Sequence, residues 1–417
     1  MASSSSSTSF KPPASFLELV STSSLNYREC ALLGIMAQIS HVAAPVSSPG
    51  SGGKPTTGAD ADGGATLEEY VATALHYGAT ESEIHNVVFQ SSASIGAARA
   101  VAVRARVEDA LKKSLSSSLR AGLHHLEKEV LVGGGGTGSH KTVVRDSDPQ
   151  NTRGVVPIVL IHALALDRRM WDAVFASLAA ASSSGDSPLR IISYDMRGHG
   201  YAAHAPSAQS LTQLADDLHS ILERLHIPRA DVYGQSYGGA VAQYFALKYP
   251  QSTRSLGLIT TAGEAQPSWI TRATRAEEAG SVLPLLPETL MRWFTPAAIA
   301  RNEWGVRYAR SCVERISVQD WGDAWRCMSG LDTLDQLRQS GRLKCPVLLV
   351  CGVQDLSTGP QWMTRLKEAC EKGGGGGGGL VVYKEVDPGV HMMALEQGEA
   401  LTREILEFRR RVDREGV

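Results

Sequence analysis

Three residue types spread over the second half of the chain can together perform acyl chemistry: a hydroxyl, an imidazole and a carboxylate. The hydroxyl is Ser236, in DVYGQSYGGA (residues 231–240), with glycine two positions before it and two after. In a sharp strand-to-helix reversal, backbone and helix come so close that side chains at those flanking positions would collide, and glycine relieves the collision. The five-residue pattern also arises by chance in glycine-rich turns, so the serine needs partners. Its hydroxyl requires a base, the base an orienting carboxylate, and the developing oxyanion backbone donors. CPVLLVCG runs into Gly352-Val353-Gln354-Asp355, which puts a carboxylate just past a strand end, and VVYKEVDPGVHMM puts His391 in the loop after the last strand. Upstream, IVLIHALAL places His162 and Ala163 after a strand, so the amide of Leu164 can join that of Tyr237 as an oxyanion hole. Taken singly, Asp355 reads as a turn cap and His391 as one of 12 histidines; in order, and each at a strand end, they read with Ser236 as a catalytic set.

The elements that must position these residues are apolar runs of strand length alternating with helical segments. EVLV and HKTVV flank a glycine run as an expected hairpin, and VVPIVLIHA, LRIISYD, ADVYG, RSLGLITTA, CPVLLVCG and GLVVYKEV follow. Continuous Val/Ile/Leu runs are the pattern of strands buried on both faces, so the expected class is α/β with a mostly parallel sheet. Between LITTAG and CPVLLVCG no strand-like run occurs, and a helical cap over about 265–338 is expected above the carboxyl ends of the strands. Ahead of this part, Asn26 with Glu29, Thr66 with Glu69 and Thr80 with Glu83 each place a capping residue three before a glutamate, predicting three helices. Leu67, Tyr70, Val71, Ala74 and Leu75 form one apolar stripe, and Ile84, Val87 and Val88 another. The domains expected are a disordered tail (1–22), a small all-helical domain (23–125) with a flexible Gly/Ser/Pro insertion at about 45–65, and the α/β part with its cap (126–417).

Lys plus Arg number 41 against 43 Asp plus Glu, so the net charge of −2 gives no electrostatic case for nucleic acid or an anionic membrane. The six cysteines form no C-x-x-C pair and no metal-ligand spacing; they read as free buried thiols of a reducing compartment, with no metal and no cofactor expected. No basic-plus-apolar leader opens the chain and no apolar run is long enough to span a bilayer, so a cytoplasmic protein is the expectation.

YDMRGHG (194–200), GQSYGG (234–239) and the chain order Ser236, Asp355, His391 resemble the α/β-hydrolase superfamily, which implies a hydrolase sheet with a helical cap. ALALDRRMWD (163–172), Trp269 with Arg272, RWFTPA (292–297), GVQDLST (352–358) and HMMALEQGEA (391–400) narrow the resemblance to 3-oxoadipate enol-lactonases. It departs in having His162-Ala163 where the superfamily commonly has His-Gly, and Gly398 where the enol-lactonases tend to have proline. The resemblance implies a serine hydrolase of a small lactone or ester, in which a substrate carboxylate is one option. Trp269, Arg272 and Trp293 then become substrate-binding candidates, with Arg275, Arg292 and Phe294 beside them. LNYRECALLGIMAQ and TALHYGATESEIHNVVFQSSASIGAARA are similar to the carboxymuconolactone decarboxylase family, related to alkylhydroperoxidase-like proteins. Here the family's redox cysteine pair is absent and Tyr70 stands at a frequent histidine position. That argues against a thiol peroxidase and leaves His76 and His85 as candidates against a surface or packing role. An assembly role giving a homo-oligomer is the reading preferred for this domain. The alternatives are a bifunctional decarboxylase and enol-lactone hydrolase, a hydrolase of secondary metabolism, and a non-catalytic ligand-binding or assembly protein.

Overall fold

A computed structural model of the chain describes residues 27–42, 66–76, 79, 81–95, 97–116, 126–133, 138–152, 154–183, 188–374 and 379–416. The expected tail, the insertion at 45–65, most of both glycine runs, Asn26, Thr80 and the side chains of Glu29, Leu75 and His76 lie outside the described residues. The chain divides into two compact units, 1–124 with 180–187 and 125–179 with 188–417.

The first unit contains α1 (Tyr27–Val42), α2 (Leu67–His76), α3 (Glu81–Ile95) and α4 (Ala97–Ser116). At the start of α2 the Thr66 amide donates to Glu69 Oε2 at 2.7 Å and the Glu69 amide donates back to Thr66 Oγ1 at 3.2 Å, a reciprocal cap that satisfies two donors the helix itself cannot. Leu67, Tyr70, Val71 and Ala74 are buried along one face of α2, as are Ile84 and Val88 of α3. Helix α4 exceeds the three helices that capping predicts. No Ser/Thr-x-x-Glu pair precedes Ala97, so that signal could not mark its start.

The second unit is built on an eight-stranded sheet: β1 (Leu126–Val132), β2 (His140–Asp146), β3 (Ile158–Ile161), β4 (Ile191–Tyr194), β5 (Ala230–Gln235), β6 (Thr253–Ile259), β7 (Val347–Gly352) and β8 (Val381–Val386). Their spatial order is β1-β2-β4-β3-β5-β6-β7-β8. The β1–β2 hairpin and the β2–β4 pair are antiparallel, and every later pair is parallel. Every residue of β3 to β7 is buried, as continuous apolar runs require. β8 departs from that expectation: it is half-buried, because it closes the edge of the sheet and has only one neighbour. Between the strands run α5 (Asp172–Ser183), α6 (Leu211–Arg224) and α7 (Tyr237–Lys248).

Six helices occupy the stretch between β6 and β7: α8 (Pro267–Ala279), α9 (Leu286–Trp293), α10 (Pro296–Ala300), α11 (Trp304–Arg315), α12 (Val318–Ser329) and α13 (Leu334–Leu337). The two ends of this insertion are tied together. Glu264 bridges Asp332, the Ala265 amide donates to Leu331 O (2.8 Å) and the Thr333 amide to Gly263 O (2.9 Å), so the cap is anchored on a closed base. Its interior is aromatic, with Trp325 6.3 Å from Trp269 and 5.8 Å from Trp321 between ring centroids. Helix α14 (Pro360–Lys372) lies between β7 and β8, and α15 (Met393–Glu396) and α16 (Gly398–Glu415) follow β8. Among the described residues no helix is long and apolar enough to cross a membrane, and no group of three His, Cys, Asp or Glu side chains is placed to hold a metal ion.

Candidate active site

Ser236 occupies the single residue between β5 and α7, with φ 55° and ψ −114°, a backbone state that a residue with a side chain adopts only under constraint. The constraint is steric crowding around the turn. A Cβ on Gly234 would stand 2.1 Å from Gly238 O, and one on Gly238 would stand 2.2 Å from Ile161 O. The two glycines therefore let strand, turn and helix close on one another, and the serine is held out at the helix start.

His391 reaches Ser236 from the loop after β8: its Nε2 lies 2.9 Å from Ser236 Oγ. Its Nδ1 lies 3.1 and 3.0 Å from the two carboxylate oxygens of Asp355, which follows β7. Because a carboxylate only accepts, the imidazole proton belongs on Nδ1, and Nε2 is left as the acceptor for the serine hydroxyl. Asp355 is itself held by the amides of Ser357 (2.7 Å) and Thr358 (3.1 Å). It therefore both caps its turn and orients the histidine, two roles that sequence analysis sets against each other.

Two residues that sequence analysis missed fix this line. Gln235, fully buried immediately before the serine, donates from Nε2 to His391 O at 2.6 Å and accepts from the Ala394 amide at 3.2 Å. Thr260, at the end of β6, donates from Oγ1 to His391 O (2.9 Å), while its carbonyl accepts from Thr358 Oγ1 (2.7 Å) beside Asp355. Three strands are thus linked through polar atoms to one histidine, two of them through its backbone carbonyl. Only the position of Gln235 next to Ser236 hinted at its part.

Leu164 and Tyr237 are both buried, the first in the loop after β3 and the second opening α7, where helix geometry leaves amides without an internal acceptor. His162 fastens the Leu164 loop. Its Nε2 accepts from the Met196 amide (2.9 Å), so its proton sits on Nδ1 and donates to Ala163 O (2.9 Å). Burial pushes His162 down to about 4 and keeps it neutral. Asp195, from YDMRGHG, accepts from the Arg168 amide (2.7 Å) and the Tyr201 amide (2.8 Å), binding the same loop to the loop after β4.

The cap residues divide. Trp269 is buried in the cap interior against Trp325. Trp293 and Phe294 are buried as well, and the Trp293 carbonyl accepts from the Met392 amide at 3.0 Å, one residue past the histidine. Thr295 and Glu396 join the same two segments, the Thr295 amide donating to Glu396 Oε2 at 3.1 Å. RWFTPA and HMMALEQGEA are therefore two sides of one staple between cap and histidine loop. Arg272 lies with its guanidinium 4.6 Å from the centroid of the Trp325 ring, and burial followed by the charge of Arg292 pushes it down to about 9. Arg275 stands apart on the surface, paired with Glu288 at 2.8 Å.

The family model described as the alpha/beta hydrolase fold matches residues 156–397. The chain belongs to that family. Among curated relatives, this hydrolase is 31% identical over 168 residues to 3-oxoadipate enol-lactonase 2 of Acinetobacter baylyi, a match covering 40% of the chain and 61% of that relative. It is 26% identical over 214 residues to 3-oxoadipate enol-lactonase 1 of the same organism, over 51% of the chain and 75% of the relative. The chain thus spans about three-fifths of the first of these relatives and three-quarters of the second. A solved enol-lactonase from Burkholderia xenovorans LB400 shares the fold with a TM-score of 0.57 at 24% identity, over 67% of this chain and 99% of that one. A thermophilic esterase from Thermogutta terrifontis, solved with malate bound, shares it with a TM-score of 0.58 at 23% identity, over 68% and 99%.

The departures from the hydrolase pattern fit locally. Gly398 is the first residue of α16, and a Cβ there would meet Val174 Cγ2 at 3.6 Å, ordinary contact that leaves room for a side chain. Ala163 is fully buried, and its amide faces Met170 Sδ at 3.1 Å.

Proposed function

We propose that the protein is a serine hydrolase that opens a small lactone or cleaves a small ester. The observation that carries this reading is the continuous hydrogen-bonded line from Ser236 Oγ through His391 to Asp355. Ser236 Oγ attacks the carbonyl carbon while its proton passes to His391 Nε2, and the amides of Leu164 and Tyr237 stabilise the oxyanion. The tetrahedral intermediate then collapses: the acyl–oxygen bond breaks, His391 returns the proton to the leaving oxygen, and an acyl-serine remains. Water, deprotonated by His391, releases the acid. Asp355 holds the imidazole tautomer throughout and offsets the charge it acquires. The enol-lactonase relatives and the position of Arg272 support a carboxylate-bearing lactone as the substrate.

Replacing Ser236 by alanine tests the reading: turnover of lactones and esters is expected to fall by roughly four to six orders of magnitude in a protein with unchanged circular dichroism. Wild-type rates in that variant would exclude the mechanism.

For the helices of the first unit we infer an assembly role, in line with the carboxymuconolactone decarboxylase-like pattern of the sequence. It is supported by Phe89 and Val101, which are 77% and 70% exposed and line one shallow hollow with His85 and Arg104. Light scattering of Phe89→Glu should then give a smaller particle than the wild type, and an unchanged particle removes the role.

A further inference from the structure

Arg292 has no part in the reading above, yet its surroundings are those of a ligand group. It lies in the last turn of α9, immediately before Trp293, whose carbonyl receives the amide of Met392. This places the start of the staple, and Arg292 with it, beside the histidine loop. The guanidinium donates from Nη2 to Thr289 Oγ1 at 3.2 Å, whereas its buried Nη1 meets no acceptor among the described residues. Burial pushes Arg292 down, and the charges of Glu288 and Asp355 pull against that shift, so this cation senses the carboxylate of the Ser236–His391–Asp355 line.

Arg272 approaches from the neighbouring cap helix. Helices α8 and α9 follow one another in the chain and are bridged by the Arg275–Glu288 pair. Arg272 lies three residues before one end of that rung and Arg292 four residues after the other, about one helical turn each, and the charge of Arg292 acts on Arg272. The Arg272 guanidinium makes a long hydrogen bond to Ser268 Oγ (3.4 Å) and lies against the Trp325 ring. That ring carries a further buried donor without an acceptor, Trp325 Nε1. The cap thus gathers two guanidinium groups and an indole N–H, all donors. Glu288, the acidic residue of α9, is paired with Arg275 on the surface, and Glu277 of α8 with Arg326. Two half-buried like charges, neither in a salt bridge among the described residues, repel each other, and an incoming anion relieves that repulsion.

We propose that Arg292 is a specificity-determining residue that, with Arg272, forms a two-armed clamp for an anionic group of the carboxylate class on the substrate, held beside His391. The proposal rests on the hydrolase reading for its substrate and adds to it a second cation of the same site. Two guanidinium forks can engage both oxygens of one carboxylate at once, which a single arm on an aromatic ring does with less geometric control.

The test compares monomethyl glutarate with dimethyl glutarate as substrates of the full chain. Arg292→Gln is expected to raise KM for the anionic monoester about tenfold or more beyond any change for the neutral diester, and Arg292→Lys, which keeps the charge without the fork, to recover part of the loss. An equal change for both esters overturns the clamp. Calorimetric titration of the wild-type protein needs no variant and no turnover: glutarate should bind about tenfold or more tightly than the neutral isostere glutaramide, and equal affinities overturn the proposal. Turnover of neither ester by the wild type would instead count against the hydrolase reading, while the titration still decides the clamp.

Discussion

The two halves of the proposed site differ in how their polar groups are satisfied. On the sheet side, Ser236, His391 and Asp355 each have a partner, and the histidine backbone is held by Gln235 and Thr260 as well. On the cap side, Arg272 and Arg292 are half-buried cations without a carboxylate partner among the described residues, and Nη1 of Arg292 has no acceptor. The contrast separates two physical tasks. Chemistry needs donors and acceptors fixed before substrate arrives, because reorganising them during the reaction raises the barrier. Recognition needs groups whose satisfaction depends on the ligand, so that a molecule without the matching charge leaves them unpaired.

Breaking the sheet side should therefore act on turnover. Gln235→Leu removes the donor to His391 O and leaves the Ala394 amide without its acceptor, while Thr260 still holds the loop. Gln235 touches no reacting atom and is a positioning residue; kcat is expected to drop about ten- to a hundredfold with KM little moved. A change confined to KM would place Gln235 in binding instead. Breaking the cap side should act the other way. Arg272→Ala is expected to raise KM roughly ten- to a hundredfold for a carboxylate-bearing lactone, and far less for a neutral ester of similar size, with the comparison made in steady-state assays. Equal effects on both substrates would remove the distinction between the two halves.

The smallest effect concerns the sheet-side scaffold. Burial pushes His162 and His199 to about 4, well below the ordinary 6.5 of an unfolded histidine. Between those values the unfolded chain binds protons that the folded protein does not, so stability is retained above 6.5 and lost as pH falls towards 4. Each histidine contributes at most about 1.4 kcal/mol per pH unit in that window. Urea midpoints measured at pH 7, 6 and 5 should decline in step, and a flat profile would contradict neutral, buried imidazoles.

What could be read from the sequence follows the same division. Ser236, Asp355 and His391 each stand next to a strand-like apolar run, and the position of a residue at a strand end is local information. The fully buried strands β3 to β7 were legible for the same reason, whereas β8 was not distinguished as an edge, because edge position is a property of the whole sheet. In the cap, Arg272, Arg275 and Arg292 look alike as letters. The Arg275–Glu288 pair and the exposed setting of Arg275 appear only when α8 and α9 are packed. Gln235 and Thr260 were silent too, since their partners lie more than a hundred residues away along the chain.

The central claim is that the fold holds Ser236 as a nucleophile primed by His391, and covalent labelling addresses it most directly. A fluorophosphonate probe, followed by peptide mapping of the adduct, should mark Ser236 in the wild-type protein and lose that mark in His391→Ala. A folded wild type in which Ser236 stays unlabelled, or is labelled equally without the histidine, would contradict the account.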